Sequence, residues 1–200
     1  MAGLDLLTLL GNASKALQEN QSTLNQADSW NGDHGDNMVE IFNLATQAIK
    51  NNPGASPAEQ LVEAGKALST KKSGSAQVYA DGFAQAAKSI QGKEMTPENL
   101  VPMVQSLMGA GGQSSGEDNP LTGLLGGLLG DSSSDQDDKL DLGDVINAGF
   151  SFVKSKNKGE DTVSSLVSAI MGSSPSAQSP HRSQSGELVV SSLLKSLFDK

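Results

Sequence analysis

Residues 38–68 read MVEIFNLATQAIKNNPGASPAEQLVEAGKAL, and this stretch decides the fold. Met38, Ile41, Phe42, Ala45 and Ile49 recur at offsets of three and four, the spacing of one face of an α-helix. Asn51-Asn52-Pro53-Gly54 supplies the turn residues that end it. Ser56-Pro57-Ala58-Glu59 starts the next helix, with Ser56 as N-cap, Pro57 at the first position, where no backbone N–H is needed, and Glu59 closing a capping box. Leu61, Val62, Ala64 and Leu68 continue the apolar stripe.

The same grammar extends both ways. Upstream, Leu6, Leu9, Leu10, Ala13 and Leu17 share one helical face. Downstream, Lys71-Lys72-Ser73-Gly74-Ser75 breaks the pattern before a stripe of Tyr79, Phe83, Ala86 and Ile90. Thr96-Pro97 opens a helix carrying Leu100, Val104 and Leu107. Helical spacing returns at Val145, Ile146, Gly149, Phe150 and Val153, then at Val163, Leu166, Val167 and Ile170, and ends with Leu188, Leu194, Leu197 and Phe198. No convincing alternating run appears. The reading is one all-α domain over residues 1–200, with seven or eight helices around a single core. A Gly/Ser/Asp-rich insertion at about 109–139 holds at most a short helix, and a Ser/Pro-rich loop spans about 172–186. The repeated Gly-Leu-Leu unit recurs too few times to build a solenoid.

Composition narrows the function classes. Apolar side chains make up 36% of the chain, enough for a core. There is no Cys, which excludes disulfides, thiolate metal sites and a cysteine nucleophile. The net charge is −9, but residues 116–144 hold eight acids against the single Lys139, so the rest of the chain is close to neutral. With one Trp, one Tyr and five Phe, it offers neither the cationic surface nor the stacking platforms of a nucleic-acid binder. The longest apolar stretch, residues 121–130, is half of what a membrane span requires, roughly twenty residues. No basic segment precedes Asp5, so a cytoplasmic protein without a membrane partner is expected.

The densest polar group is Asp28-Ser29-Trp30-Asn31-Gly32-Asp33-His34-Gly35-Asp36-Asn37-Met38, directly before a strongly periodic helix. Loop carboxylates beside exposed helix N–H groups suit a cation and a phosphate together. An EF-hand loop requires Glu at its twelfth position; starting at Asp28 puts Val39 there, and starting at Asn31 puts Phe42 there. The plainer alternative has Asp33 or Asp36 capping the helix, while Gly32 and Gly35 make the turn.

These residues also resemble a family. Gly32-Asp33-His34-Gly35 followed by Asn37-Met38 resembles the G-D-x-D-H-G-x-N-M segment of the nucleotide-binding L subunit of dihydroxyacetone (glycerone) kinase, the DhaL-like domain. Ser73-Gly74-Ser75-Ala76-Gln77-Val78-Tyr79 resembles its Gly-Gly-x-Ser-Gly phosphate loop, and His181-Arg182-Ser183-Gln184-Ser185-Gly186 its H-R-D-P-G-A segment. The similarity spans the chain apart from the insertion at 109–139.

The resemblance implies a closed antiparallel barrel of about eight helices that holds ADP or ATP through magnesium. The phosphates and nucleotide would be bound by His34, Asn37, Met38, Lys72, Gly74, Ser75 and Arg182. The family's three magnesium-binding aspartates map onto Gln26, Asn31 and Asp33, so a single carboxylate survives. Asp28 and Asp36 stand near enough in sequence to substitute in part, which leaves Asp33, Asn31 and Asp28 as the metal candidates. Lys72, Ser73 and Ala76 replace glycines of the phosphate loop, and Ser183-Gln184 replaces Asp-Pro. On one reading Lys71 and Lys72 restore positive charge beside the Gly74 and Ser75 N–H groups; on the other they belong to a solvated turn.

The resemblance further implies phosphoryl transfer to dihydroxyacetone or a related acceptor, held by a DhaK-like partner subunit. The alternative is an inactive helical scaffold that binds a protein or a phosphorylated ligand. No catalytic residue is assigned in this chain. His34 is expected in the loop, in a supporting role. Trp30 is expected as a core plug under the loop, and Met38 and Phe42 as core residues. The acidic run at 131–144 reads as a solvated linker or a weak divalent-ion trap. One spatial expectation connects these readings: the turn at 33–38 and the bend at 73–76 face a common pocket.

Overall fold

The computed structural model describes residues 4–109, 159–174 and 179–196. Among these, all regular structure is helical. The helices are α1 (Leu6–Glu19), α2 (Gln21–Ala27), α3 (His34–Lys50), α4 (Pro57–Ser69), α5 (Gly74–Ser89), α6 (Pro97–Leu107), α7 (Gly159–Gly172) and α8 (Pro180–Lys195). The insertion at 109–139, apart from Gly109, and the stripe at 145–153 lie outside the described residues.

Local chemistry explains the boundaries. Asp5 caps α1 by accepting from the Thr8 N–H at 3.0 Å. Ser56 and Glu59 form the reciprocal capping box of α4, with Pro57 in the first turn. Two features differ from the sequence expectation. The short helix α2 follows α1 after a break at Asn20, and its single buried apolar residue, Leu24, leaves no stripe to read. The Ser/Pro-rich loop is shorter than expected, because α8 begins at Pro180. Pro180 occupies the first turn, where its missing N–H costs nothing, and the polar residues 181–187 form the first two turns.

The stripes form the core. Leu6, Leu9, Leu10, Ala13 and Leu17 of α1, and Met38, Ile41, Phe42, Ala45 and Ile49 of α3, are all at most 2% exposed. Full burial of each larger side chain stabilises by roughly 1.5–3 kcal/mol. Phe42 meets Tyr79 edge-on at 5.3 Å and Phe83 at 6.4 Å, which ties α3 to α5. Val62 departs from its stripe and is 39% exposed.

Small residues set the closest approaches. A Cβ on Gly65 would lie 3.0 Å from the Ala80 carbonyl oxygen, and one on Gly82 would collide with the Leu107 carbonyl, so α4–α5 and α5–α6 pack backbone to backbone. α3 packs on α1, α2, α4 and α5, while α8 packs on α1, α2, α3, α6 and α7. This arrangement brings the first turns of α3, α5 and α8 together.

Candidate functional site

Residues 28–33 link α2 to α3. The Asp28 carboxylate accepts from the Trp30 N–H at 3.0 Å and from the Asp33 N–H. These bonds, led by that of Trp30, hold its pKa below the usual carboxylate range, helped by the nearby His181 and His34. Gly32 takes φ +70°, a left-handed conformation that favours glycine. The loop carries Trp30 outward: it is 91% exposed, contrary to its expected place in the core. Core positions on α2 and α3 are already filled by Leu24, Met38 and Phe42, each fully buried.

Neither aspartate proposed for the α3 cap performs that role. Asp33 holds the N-cap position without a side-chain cap bond, and its Oδ1 accepts from Asn37 Nδ2 at 2.6 Å. The cap comes from α2: Asn25 Oδ1 accepts from the N–H groups of Gly35 at 2.7 Å and Asp36 at 3.2 Å. Asn25 Nδ2 and Gln21 Nε2 then donate to Asp36 Oδ1 at 2.9 and 2.7 Å, which lowers the pKa of Asp36. Gly35 is required here, since a Cβ would collide with the Gln21 carbonyl oxygen. Sequence reasoning missed Asn25 and Gln21, whose role depends on how α2 lies against α3. The same bonds engage the α3 N–H groups that the sequence had offered to a phosphate.

His34 opens α3 instead of lying in the loop, and is 4% exposed. Its Nε2 is 2.9 Å from Ser185 Oγ on α8, and its ring meets His181 edge-on at 4.8 Å. Burial first, then the neighbouring His181, pushes its pKa down to about 4, so the ring is neutral at neutral pH.

On α5, Ser73 caps the helix by accepting from the Ala76 N–H at 3.2 Å. The Gly74 and Ser75 N–H groups have no partner among the described residues. Arg182 Nη2 lies 3.7 Å from where a Cβ on Gly74 would sit, and Arg182 forms no ion pair among the described residues. Lys71 is committed to Glu40 at 2.6 Å, and Lys72 is exposed.

His34 and Met38 of α3, Ser75, Val78 and Tyr79 of α5, and Arg182 and Ser185 of α8 line one small pocket, open to solvent on one side, with a cavity volume of about 10 Å³, close to the room of one water. Of the residues singled out from sequence, His34, Met38, Ser75 and Arg182 meet there, with Gly74 beside Arg182. Asn37, Lys72, Asp28, Asn31 and Asp33 do not line it.

The donor set does not fit magnesium. No group of three His, Asp or Glu side chains among the described residues is placed to hold a metal ion. Gln26 is exposed and bonded to Ser22, Asn31 is exposed, and the Asp28 and Asp33 carboxylates are engaged by N–H donors. Magnesium takes a near-octahedral shell of oxygens, commonly one or two free carboxylates with waters and substrate phosphates, and here both carried-over carboxylates are already engaged.

No helix among the described residues is long and apolar enough to cross a membrane. Comparison with protein-family models, characterised proteins and solved structures gives no significant match.

Proposed function

We infer that this chain is a DhaL-like helical domain that binds a phosphorylated ligand at the solvent-open mouth of the pocket between α3, α5 and α8. The observation that carries the reading is the Arg182 guanidinium beside Gly74, with no carboxylate paired to it among the described residues. A cation at the positive end of a helix is unfavourable alone, and a bound anion offsets both charges. The Gly74 and Ser75 N–H groups and the Ser75 hydroxyl add donors suited to phosphate oxygens. Support for the family comes from the meeting of residues from all three resembling segments at one pocket. Support for a closed bundle comes from the packing succession α1, α3, α4, α5, α6, with α8 touching both α6 and α1.

Titration calorimetry with inorganic phosphate tests this reading. Binding lost in Arg182→Ala is expected, and wild-type protein that takes up no phosphate overturns it.

The family resemblance favours a second reading, in which ADP or ATP with magnesium serves phosphoryl transfer to dihydroxyacetone or a related acceptor on a DhaK-like partner. The spent carboxylates weigh against it, because that chemistry rests on metal neutralising the phosphates. Under this reading Gln26→Asp with Asn31→Asp strengthens magnesium-dependent ATP binding; unchanged binding discards it.

A further inference from the structure

Asn31-Gly32 is the chain's only Asn-Gly pair, and the fold leaves it chemically open. Asp28 fastens the loop on either side of it, through the N–H groups of Trp30 and Asp33. Between those anchors Asn31 and Gly32 are both exposed, and neither the Asn31 carboxamide nor the Gly32 N–H has a hydrogen-bond partner among the described residues.

An asparagine side chain cyclises when the backbone nitrogen of the next residue attacks its carboxamide carbon. That nitrogen must be free of other bonds, and it reacts best where no Cβ crowds its approach. Gly32 meets both conditions. The other described asparagines do not. Those of α1, α2, α3 and α6 precede residues whose N–H groups belong to the helical ladder. The N–H that follows Asn51 donates to the Ile49 carbonyl at 2.9 Å, Asn52 precedes Pro53, and the Asn20 carboxamide is bound to the Ala16 carbonyl at 2.8 Å.

We propose that Asn31 is a site of spontaneous covalent modification: the Gly32 nitrogen bonds to Asn31 Cγ, the Cγ–Nδ2 bond breaks, and ammonia leaves with the Gly32 amide proton. One water then opens the cyclic imide at either carbonyl, giving aspartate or isoaspartate without change of oxidation state. Either product adds a negative charge between Asp28 and Asp33. The isoaspartate also inserts an extra methylene into the main chain between the two N–H groups that Asp28 holds. Both place a carboxylate at the position that the magnesium reading alters by Asn31→Asp, so that comparison requires wild-type protein with Asn31 intact.

The test is peptide mapping by mass spectrometry of the full folded chain, incubated without ligand at pH 7 and pH 8.5. Conversion at Asn31 is expected to outpace that of every other asparagine by about tenfold, and to quicken with pH because the attacking nitrogen must lose its proton. Aspartate and isoaspartate should both appear at that position. In Asn31→Gln, whose longer side chain would have to close a larger ring, the acidic species seen on isoelectric focusing is expected to vanish. Aspartate alone overturns the cyclic route. An Asn31 that stays intact, or converts no faster than the asparagines inside helices, overturns the assignment, as does an acidic species that persists in Asn31→Gln.

Discussion

At the scale of single residues, His34 has the clearest measurable consequence. Its pKa is about 4 in the folded chain against an ordinary 6.5. Between those values the unfolded chain binds a proton that the native ring refuses, so stability is full above about pH 6.5 and declines as pH falls toward 4. After allowance for solvent reaching the ring through the pocket, the loss is roughly 2 kcal/mol. Denaturant unfolding at pH 7 and pH 4.5 measures it, and in His34→Gln that part of the decline should vanish. The role of His34 was only half legible from sequence. Its place beside a phosphate-type motif could be read, but its burial depends on Ser185 and His181, each more than 140 residues away along the chain.

At the scale of elements, the first turn of α3 depends on α2. Asn25→Ala removes the oxygen that caps Gly35 and Asp36 and one donor to Asp36, with an expected loss of about 1–2 kcal/mol in thermal or denaturant melts. Asn25→Asp restores the capping oxygen but sets a second carboxylate against Asp36, so only partial recovery is expected. Gly35→Ala drives a methyl into the Gln21 carbonyl, at an expected cost of roughly 1–3 kcal/mol, read as a lowered midpoint in urea. Apolar spacing made α1, α3, α4, α5 and α6 readable, because each buries one stripe against a shared core. α2 and the start of α8 were not readable from the chain alone: the first buries one leucine, and the second opens on polar residues whose partners lie in other helices.

At the scale of the whole molecule, stability depends on a core that passes through α3. Phe42 is fully buried and touches the rings of Tyr79 and Phe83, so Phe42→Ala is expected to cost about 3–5 kcal/mol in equilibrium unfolding. The lysines of the 71–72 turn carry little of that stability. The Lys71–Glu40 pair has both side chains more than a third exposed, and Lys71→Ala should shift stability by less than about 1 kcal/mol.

The outward position of Trp30 matters for anyone following this chain by light emission. It is the protein's only indole, and it is 91% exposed in the native fold. Its spectrum is already that of a water-bathed chromophore and should barely move on denaturation, so melting is better tracked by far-ultraviolet dichroism. The same placement makes tryptophan emission a local reporter for the segment between α2 and α3, sensitive to whatever docks beside it and nearly blind to collapse of the core.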